Sequence, residues 1–162
     1  MIIAPFQLNT WNYNDSAKAM TIVVKRIYEP ASDDDGARVL VDRLWPRGVS
    51  KVRAAVDLWL KNLAPSDELR KWFHGGNGTW TEFRQRYLKE LAHPEVAEAL
   101  ADLYRLAGER NRVTLLFSSK NEEQNNATVL KELLSGMRKP PGSAGSVTRT
   151  SRNRQAKRMP RK

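Results

Sequence analysis

The chain has 162 residues, of which 40% are hydrophobic, and it carries a formal net charge of +10. This length and composition predict one folded domain with an ordinary core. The absence of cysteine excludes a disulfide framework and a thiolate zinc site, and no apolar run approaches the roughly 20 residues that a membrane helix needs.

Almost all of the excess positive charge lies at the C-terminus. Residues 138–162 hold nine of the 28 basic residues and no acidic one, which leaves 19 basic against 18 acidic residues in 1–137. The C-terminal segment is also rich in Gly, Ser and Pro, so we predict a disordered basic tail over residues 137–162. Residues 1–20 show no sustained hydrophobic period and are predicted to be a flexible extension. The folded domain is therefore predicted over residues 21–136.

Three apolar segments rich in β-branched residues predict strands over Thr21–Tyr28, Arg38–Trp45 and Val113–Phe117. The connection from Glu29 to Ala37 is shorter than the roughly dozen residues that a parallel crossover needs. The first two strands are therefore either antiparallel neighbours or not adjacent. Within this connection, the aspartates Asp33–Asp35 predict a solvated turn rather than a cation-binding loop, because the spaced ligand pattern of a calcium loop is missing.

Capping residues and breakers predict the helices. Residues 56–63 fit either a helix or a strand, with a slight preference for a strand in the second half. The stripe of Trp80, Phe83, Tyr87 and Leu91 has helical spacing and is predicted to be core rather than a stacking surface. A short helix is predicted after Ser50, and others after Ser66 and after Thr79, with Glu82 as the capping-box partner of Thr79. A fourth helix is predicted from Pro94 to Gly108. The last is predicted from Asn121 to Gly136, with Gln124 as the capping-box partner of Asn121.

Charged and polar side chains follow two of the predicted strands at the point where each strand ends. The long, mostly helical connection between Arg38–Trp45 and Val113–Phe117 favours parallel strands lying side by side. Their carboxyl ends would then share one crevice with the N-terminus of the last helix, where ligands of open α/β sheets bind. The residues brought together would be Asp42, Arg43, Arg47, Ser118, Ser119, Lys120, Asn125 and Asn126.

These residue types favour an anion such as a phosphate or a carboxylate. Arg43, Arg47 and Lys120 would hold the anion, while Ser118, Asn125 and Asn126 would hydrogen-bond the ligand. Asp42 would either serve as a catalytic acid–base group or pair with an arginine or cap a loop at the sheet end, and the sequence favours neither role.

Ser118 is a weak candidate for a nucleophile, because the sequence indicates no histidine partner. The two histidines, His74 and His93, stand at predicted helix boundaries, where capping is the favoured role. Two histidines alone would leave a metal under-coordinated. The sequence therefore predicts no metal site and no cofactor.

Several blocks of the domain are distinctive as sequence, namely VKRIYEP, DDDGARVLVDRLWPRGVSK, LRKWFHG and VTLLFSSKNEEQNNATVLKELL. They resemble the YeaO-like family, a branch of the bacterial domain-of-unknown-function family 488, from about Thr21 to Leu134. The resemblance implies a small cytoplasmic α/β domain. A sister branch carries an Asp-x-Arg-x-x-Pro-Arg block and a Cys-His-Arg block at the corresponding strand ends.

The first block corresponds here to Asp42, Pro46 and Arg47, with Leu44 at the position of the sister's strand arginine and one residue rather than two before the proline. The second block is replaced by residues 124–126, Gln-Asn-Asn, which removes a thiol and an imidazole. The sister's chemistry therefore does not carry over, and the resemblance implies a fold and a site but no reaction.

Three functions are compatible with these observations. The first is a cytoplasmic α/β protein with an anion-binding crevice, either a binding protein or an enzyme acting on a phosphorylated or carboxylated small molecule. The second is sequence-independent association with nucleic acid through the basic tail, which lacks aromatic residues to stack on bases. The third is a regulatory domain that binds a protein partner. The sequence gives no prediction of the oligomeric state.

Overall fold

The structure, a computed structural model, describes residues 20–137. The predicted extension and tail lie outside the described residues, except for their innermost residues Met20 and Met137. The strands are β1 (Thr21–Arg26), β2 (Ala37–Leu40), β3 (Leu58–Trp59) and β4 (Arg112–Phe117). The helices are α1 (Lys51–Ala54), α2 (Asp67–His74), α3 (Trp80–Leu91), α4 (Pro94–Arg110) and α5 (Asn126–Gly136), and Asp33–Asp35 and Lys61–Leu63 form 3-10 turns.

The strands form one parallel sheet in the order β1-β4-β2-β3. β4 is therefore a central strand, and its buried run of β-branched and aliphatic residues suits that position. The predicted α/β fold is confirmed, as is the prediction that the second strand and the Val113–Phe117 strand lie side by side in parallel. Of the two arrangements left open for the first two strands, the structure has the one in which they are not adjacent.

The main core lies between the sheet and the helices. Because side chains alternate along a strand, Val113, Leu115 and Phe117 of β4 face this core, whereas Thr114 and Leu116 face the other side of the sheet. From α3, Phe83, Tyr87 and Leu91 are buried in the same cluster, and Trp80 packs against it. The prediction that the aromatic stripe belongs to the core is confirmed.

The opposite face of the sheet is crossed by the connection between β1 and β2. Thr114 of β4 donates a hydrogen bond of 2.7 Å to the carbonyl oxygen of Asp35, so the connection passes over β4. Gly36, which follows, has a φ of 65°, and a Cβ there would lie 2.3 Å from the carbonyl oxygen of Arg112. Only glycine allows the backbone to approach this closely.

Asp35 does not lie in a solvated turn as predicted, since its side chain is buried beneath this connection. Its carboxylate accepts hydrogen bonds from the Ser32 N–H, the Lys25 ammonium and the Arg38 guanidinium. Burial alone raises the pKa of Asp35, but these donors together lower the pKa below its ordinary value of 3.8. Asp33 and Asp34 remain exposed, so the prediction is wrong for one of the three aspartates.

Several predicted boundaries differ from the structure, beginning with β1, which ends at Arg26 rather than at Tyr28. β2 ends at Leu40 rather than at Trp45, and α4 continues through Gly108 to Arg110, where Asn111 closes it in the left-handed conformation. The last helix is capped by Asn125 with Thr128 as its partner, rather than by Asn121 with Gln124. The Asn121 side chain instead accepts the N–H groups of Glu123 and Gln124 in a local turn.

Candidate functional site

A cavity of about 180 Å³ lies at the carboxyl ends of β2 and β4. It is bounded by the segments that follow these two strands, by the last turns of α2, and by the N-terminus of α5. This is the position at which the sequence predicted a crevice. The lining residues are Asp42, Arg43, Leu44, Ala64, Pro65, Arg70, Phe73, His74, Phe83, Ser118, Ser119, Gln124, Asn125 and Asn126.

Asp42 joins the segments that follow the two central strands. Its Oδ2 atom accepts hydrogen bonds from the Ser118 N–H at 2.8 Å and from the Ser118 hydroxyl at 2.6 Å. Its Oδ1 atom accepts from the Asn126 amide at 3.2 Å. Both carboxylate oxygens therefore have protein donors, and the side chain fastens the end of β4 and the start of α5 to the end of β2.

The two asparagines at the start of α5 are also engaged by the protein. Asn126 donates to the Val41 carbonyl oxygen at 2.8 Å as well as to Asp42. Asn125 is almost fully buried; its Oδ1 caps the N–H of Thr128 at 3.1 Å, and its amide donates to two carbonyl oxygens of the preceding loop, each at 3.0 Å. Asn125 thus shapes the wall of the cavity chiefly through the loop that it holds.

Arg43 is the cationic side chain of the predicted set that lines the cavity. Because β2 has already ended at Leu40, the alternation of side chains no longer separates Asp42 from Arg43, and both line the same space. The Arg43 Nε donates a long hydrogen bond of 3.4 Å to the Pro65 carbonyl oxygen. Within residues 20–137, Arg43 forms no salt bridge with a carboxylate.

Arg47 and Lys120 are exposed and are not among the residues that line the cavity. The reason for Arg47 lies in the segment after Leu44, which folds back over the second face of the sheet. There the Trp45 ring packs edge-on against Trp59 at 5.4 Å and donates from its indole N–H to the Val49 carbonyl oxygen at 2.7 Å. These two contacts hold the turn that places Arg47 outside the cavity lining, where the Arg47 carbonyl oxygen accepts a hydrogen bond of 3.4 Å from the Tyr28 hydroxyl.

The last turns of α2 contribute cavity residues that the sequence did not identify as site residues. Arg70, Phe73 and His74 all line the cavity, and Phe83 of α3 lies behind Phe73 with ring centroids 4.6 Å apart. The prediction that His74 caps a helix is wrong, because Gly75 closes α2. His93 occupies the N-cap position of α4, but its side chain makes no capping hydrogen bond. The spacing of three residues between Arg70 and Phe73 indicates that they share one face of α2. It does not indicate which part of the protein that face contacts.

A second cavity, of about 250 Å³, also has Arg43 in its wall. The cavity has two acidic lining residues, Glu90 and Glu95. Glu90 is already engaged, since it accepts hydrogen bonds from the Ser66 N–H at 2.9 Å and from the Ser66 hydroxyl at 2.5 Å. Tyr87 lines the same cavity and donates to the Leu63 carbonyl oxygen. Burial, and then the nearby carboxylates of Glu90 and Asp42, raise the pKa of Tyr87 well above its ordinary value of 10.0.

Within residues 20–137, no cluster of three or more His, Cys, Asp or Glu side chains is arranged to hold a metal ion. No helix in this part of the chain is both long and apolar enough to cross a bilayer.

Comparison with known proteins identifies the family. Residues 21–144 match the family described as the inactive DUF488-N3 subclade. This chain belongs to the DUF488 family. The DUF488 match begins at the first residue of β1, which confirms the resemblance seen in the sequence.

Two bacterial proteins are similar to this chain over nearly their whole length. The chain is 48% identical over 116 residues to uncharacterized protein YeaO of Escherichia coli (strain K12), covering 71% of this chain and 97% of YeaO. It is 43% identical over 113 residues to uncharacterized protein Rv3073c of Mycobacterium tuberculosis (strain ATCC 25618 / H37Rv), covering 70% of this chain and 92% of Rv3073c. No solved structure matches the chain at a significant level.

Proposed function

We propose that the domain binds a small anionic molecule in the cavity at the strand ends and does not transform it. The observation that carries this proposal is the contrast between Arg43 and Asp42. Asp42 has a protein donor at each carboxylate oxygen, whereas Arg43 lines the cavity without a carboxylate partner among the described residues. An arginine in this state can offer paired N–H donors to a carboxylate or a phosphate.

Two further features add positive potential. Arg70 lines the cavity and forms an exposed salt bridge of 3.2 Å with Asp67. An exposed salt bridge contributes little free energy, so the Arg70 guanidinium is able to turn toward a ligand. The N-terminus of α5 also opens at the cavity, where Asn125 and Asn126 line it. A helix N-terminus carries partial positive charge and favours anions.

The absence of turnover is supported by the hydrogen bonds of the polar groups. The Ser118 hydroxyl donates to Asp42, and among the described residues neither group is hydrogen-bonded to a histidine. A serine without a histidine base is a poor nucleophile, and an aspartate that accepts hydrogen bonds on both oxygens is poorly placed to take a proton from a substrate. The description of the subclade as inactive agrees with this proposal.

The test is a titration of the full chain with sodium acetate, sodium benzoate and inorganic phosphate, followed by NMR shift changes and by thermal denaturation. Arg43→Gln should weaken the binding of any anion that binds by about tenfold or more, which is the effect expected for a charge-assisted pair. Arg47→Gln is the matched control, because it removes the same charge from an exposed residue outside the cavity lining. Equal effects of the two substitutions, or no effect of either, would refute the site.

A second candidate function rests on the charge of the C-terminal segment. Residues 138–162 carry nine basic residues and no acidic one, a composition that gives sequence-independent, salt-sensitive affinity for nucleic acid. The remaining 1–137 segment is almost neutral, so we propose that any such affinity belongs to the tail alone.

A further inference from the structure

The charged residues of the cavity would be enough to bind a bare inorganic anion. The walls of the cavity, however, are mainly apolar. Leu44, Ala64, Pro65, Phe73 and Phe83 all contribute to the lining. Phe83 is buried, and its ring packs against the Phe73 ring with centroids 4.6 Å apart, so the two rings form one continuous apolar part of the wall. A hydrated phosphate or acetate ion would leave this apolar surface in contact with water.

Leu44 is the most informative of these residues because it is 61% exposed. An exposed leucine is common on protein surfaces, but this one stands at the edge of a cavity and next to the cation that we propose to hold the anion. A ligand whose apolar part covered Leu44 and Phe73 would gain binding free energy from both side chains.

The cavity volume indicates the size of that apolar part. The cavity measures about 180 Å³. An engineered apolar cavity of about 150 Å³ accommodates benzene. One ring, with a small charged group directed toward Arg43, therefore fits the available space.

The charges favour a single negative charge on the ligand. Arg43 has no carboxylate partner within residues 20–137, Arg70 is shared with Asp67, and the Asp42 carboxylate lines the same cavity. A phosphate dianion would draw on both arginines and would also lie beside the Asp42 carboxylate, which repels a second negative charge. A carboxylate needs one arginine, which can bind both of its oxygens.

We propose that the ligand class of this site is an aromatic carboxylate with one ring. This inference rests on the proposed anion site and names the chemistry of its occupant. The carboxylate pairs with Arg43, one face of the ring packs on Phe73, and Leu44 covers its exposed edge.

The experiment compares benzoate, cyclohexanecarboxylate, acetate and inorganic phosphate on the full chain by ligand-observed NMR, which detects weak binding. Benzoate should bind about tenfold more tightly than acetate, because its ring covers apolar surface that acetate leaves exposed. Leu44→Ser should weaken benzoate binding about fivefold and leave acetate binding unchanged. Val52→Ser is the matched control, because Val52 is 90% exposed and lies outside the cavity lining.

The outcomes separate this inference from the function on which it rests. If acetate binds as tightly as benzoate and both depend on Arg43, the anion site stands and the aromatic class is overturned. Tighter binding of phosphate than of benzoate would overturn the choice of a monoanion, and equal binding of cyclohexanecarboxylate would overturn the aromatic character. If none of the four probes binds, or if binding is indifferent to Arg43→Gln, the anion site itself fails.

Discussion

Replacement of Asp42 by alanine should destabilise the fold rather than merely alter its site. The carboxylate accepts from the Ser118 N–H at 2.8 Å, the Ser118 hydroxyl at 2.6 Å and the Asn126 amide at 3.2 Å. A hydrogen bond to a charged group contributes about 1.5–3 kcal/mol, and bonds that share one acceptor group do not add fully. Asn126 keeps its second acceptor, Val41, and the serine hydroxyl can rotate toward water.

The main loss of stabilisation is therefore the hydrogen bond from the Ser118 N–H, together with part of the free energy of the other two hydrogen bonds. We expect Asp42→Ala to lower the free energy of unfolding by about 2–3 kcal/mol, measured by urea denaturation followed by circular dichroism at neutral pH. Ser118→Ala should be less severe, and the double variant should show a coupling free energy of about 1 kcal/mol or more between the two side chains.

If Asp42 had a catalytic role instead, its replacement would not lower the free energy of unfolding. Residues of that kind are commonly held at some cost in stability, so removing them leaves the free energy of unfolding unchanged or raises it. A change of less than about 0.5 kcal/mol in Asp42→Ala, which is the range of ordinary surface substitutions, would refute the structural role.

Three other predictions rest on the structure, and a fourth rests on the charge of the C-terminal segment. Asp35→Asn should destabilise by about 3 kcal/mol because it leaves Arg38 buried without its charge partner, whereas Asp34→Asn on the exposed neighbour should stay within about 0.5 kcal/mol in the same denaturation assay. Since folding lowers the pKa of Asp35, its charge stabilises the fold above about pH 3.8, and the difference between wild type and Asp35→Asn should shrink as the pH falls below that value. Gly108→Ala should raise the free energy of unfolding by about 0.5–1 kcal/mol, because Gly108 lies inside α4 with open space around its Cα; a loss of stability would mean that the helix ends there. Deletion of residues 138–162 should abolish salt-dependent binding to duplex DNA in a fluorescence anisotropy titration, and affinity that survives at moderate salt would show that the tail is not its source.

The predictable part of the site depended on local patterns and one topological rule. The apolar runs that became β2 and β4, joined by a long helical connection, were enough to bring Asp42 to Ser118. The same reasoning failed for Arg47, because its direction is set by the packing of Trp45 on Trp59, a contact between residues that no periodicity relates. Where the chain turns after a strand is decided by tertiary packing, and local sequence preferences carry little of that information.

The buried charge and the cap of α5 were missed for a different reason. Asp35 looks like its two neighbours in sequence, and only the presence of Lys25 and Arg38 beneath the connection distinguishes it. Asn121 and Asn125 are both competent caps, and each does bind nearby N–H groups. The choice between them depends on where α5 meets the sheet, which the sequence alone does not specify.

The position of β4 between β1 and β2 affects the order in which the chain can assemble. β1 has β4 as its neighbour in the sheet, and β4 lies about 85 residues further along the chain than the end of β1. As the polypeptide emerges from the ribosome, the first strand must therefore wait without a hydrogen-bonding partner until α4 has been synthesised and β4 can insert. During that interval its backbone edge is open to other chains. A nascent chain released before Arg112 would lack the strand that pairs with both β1 and β2.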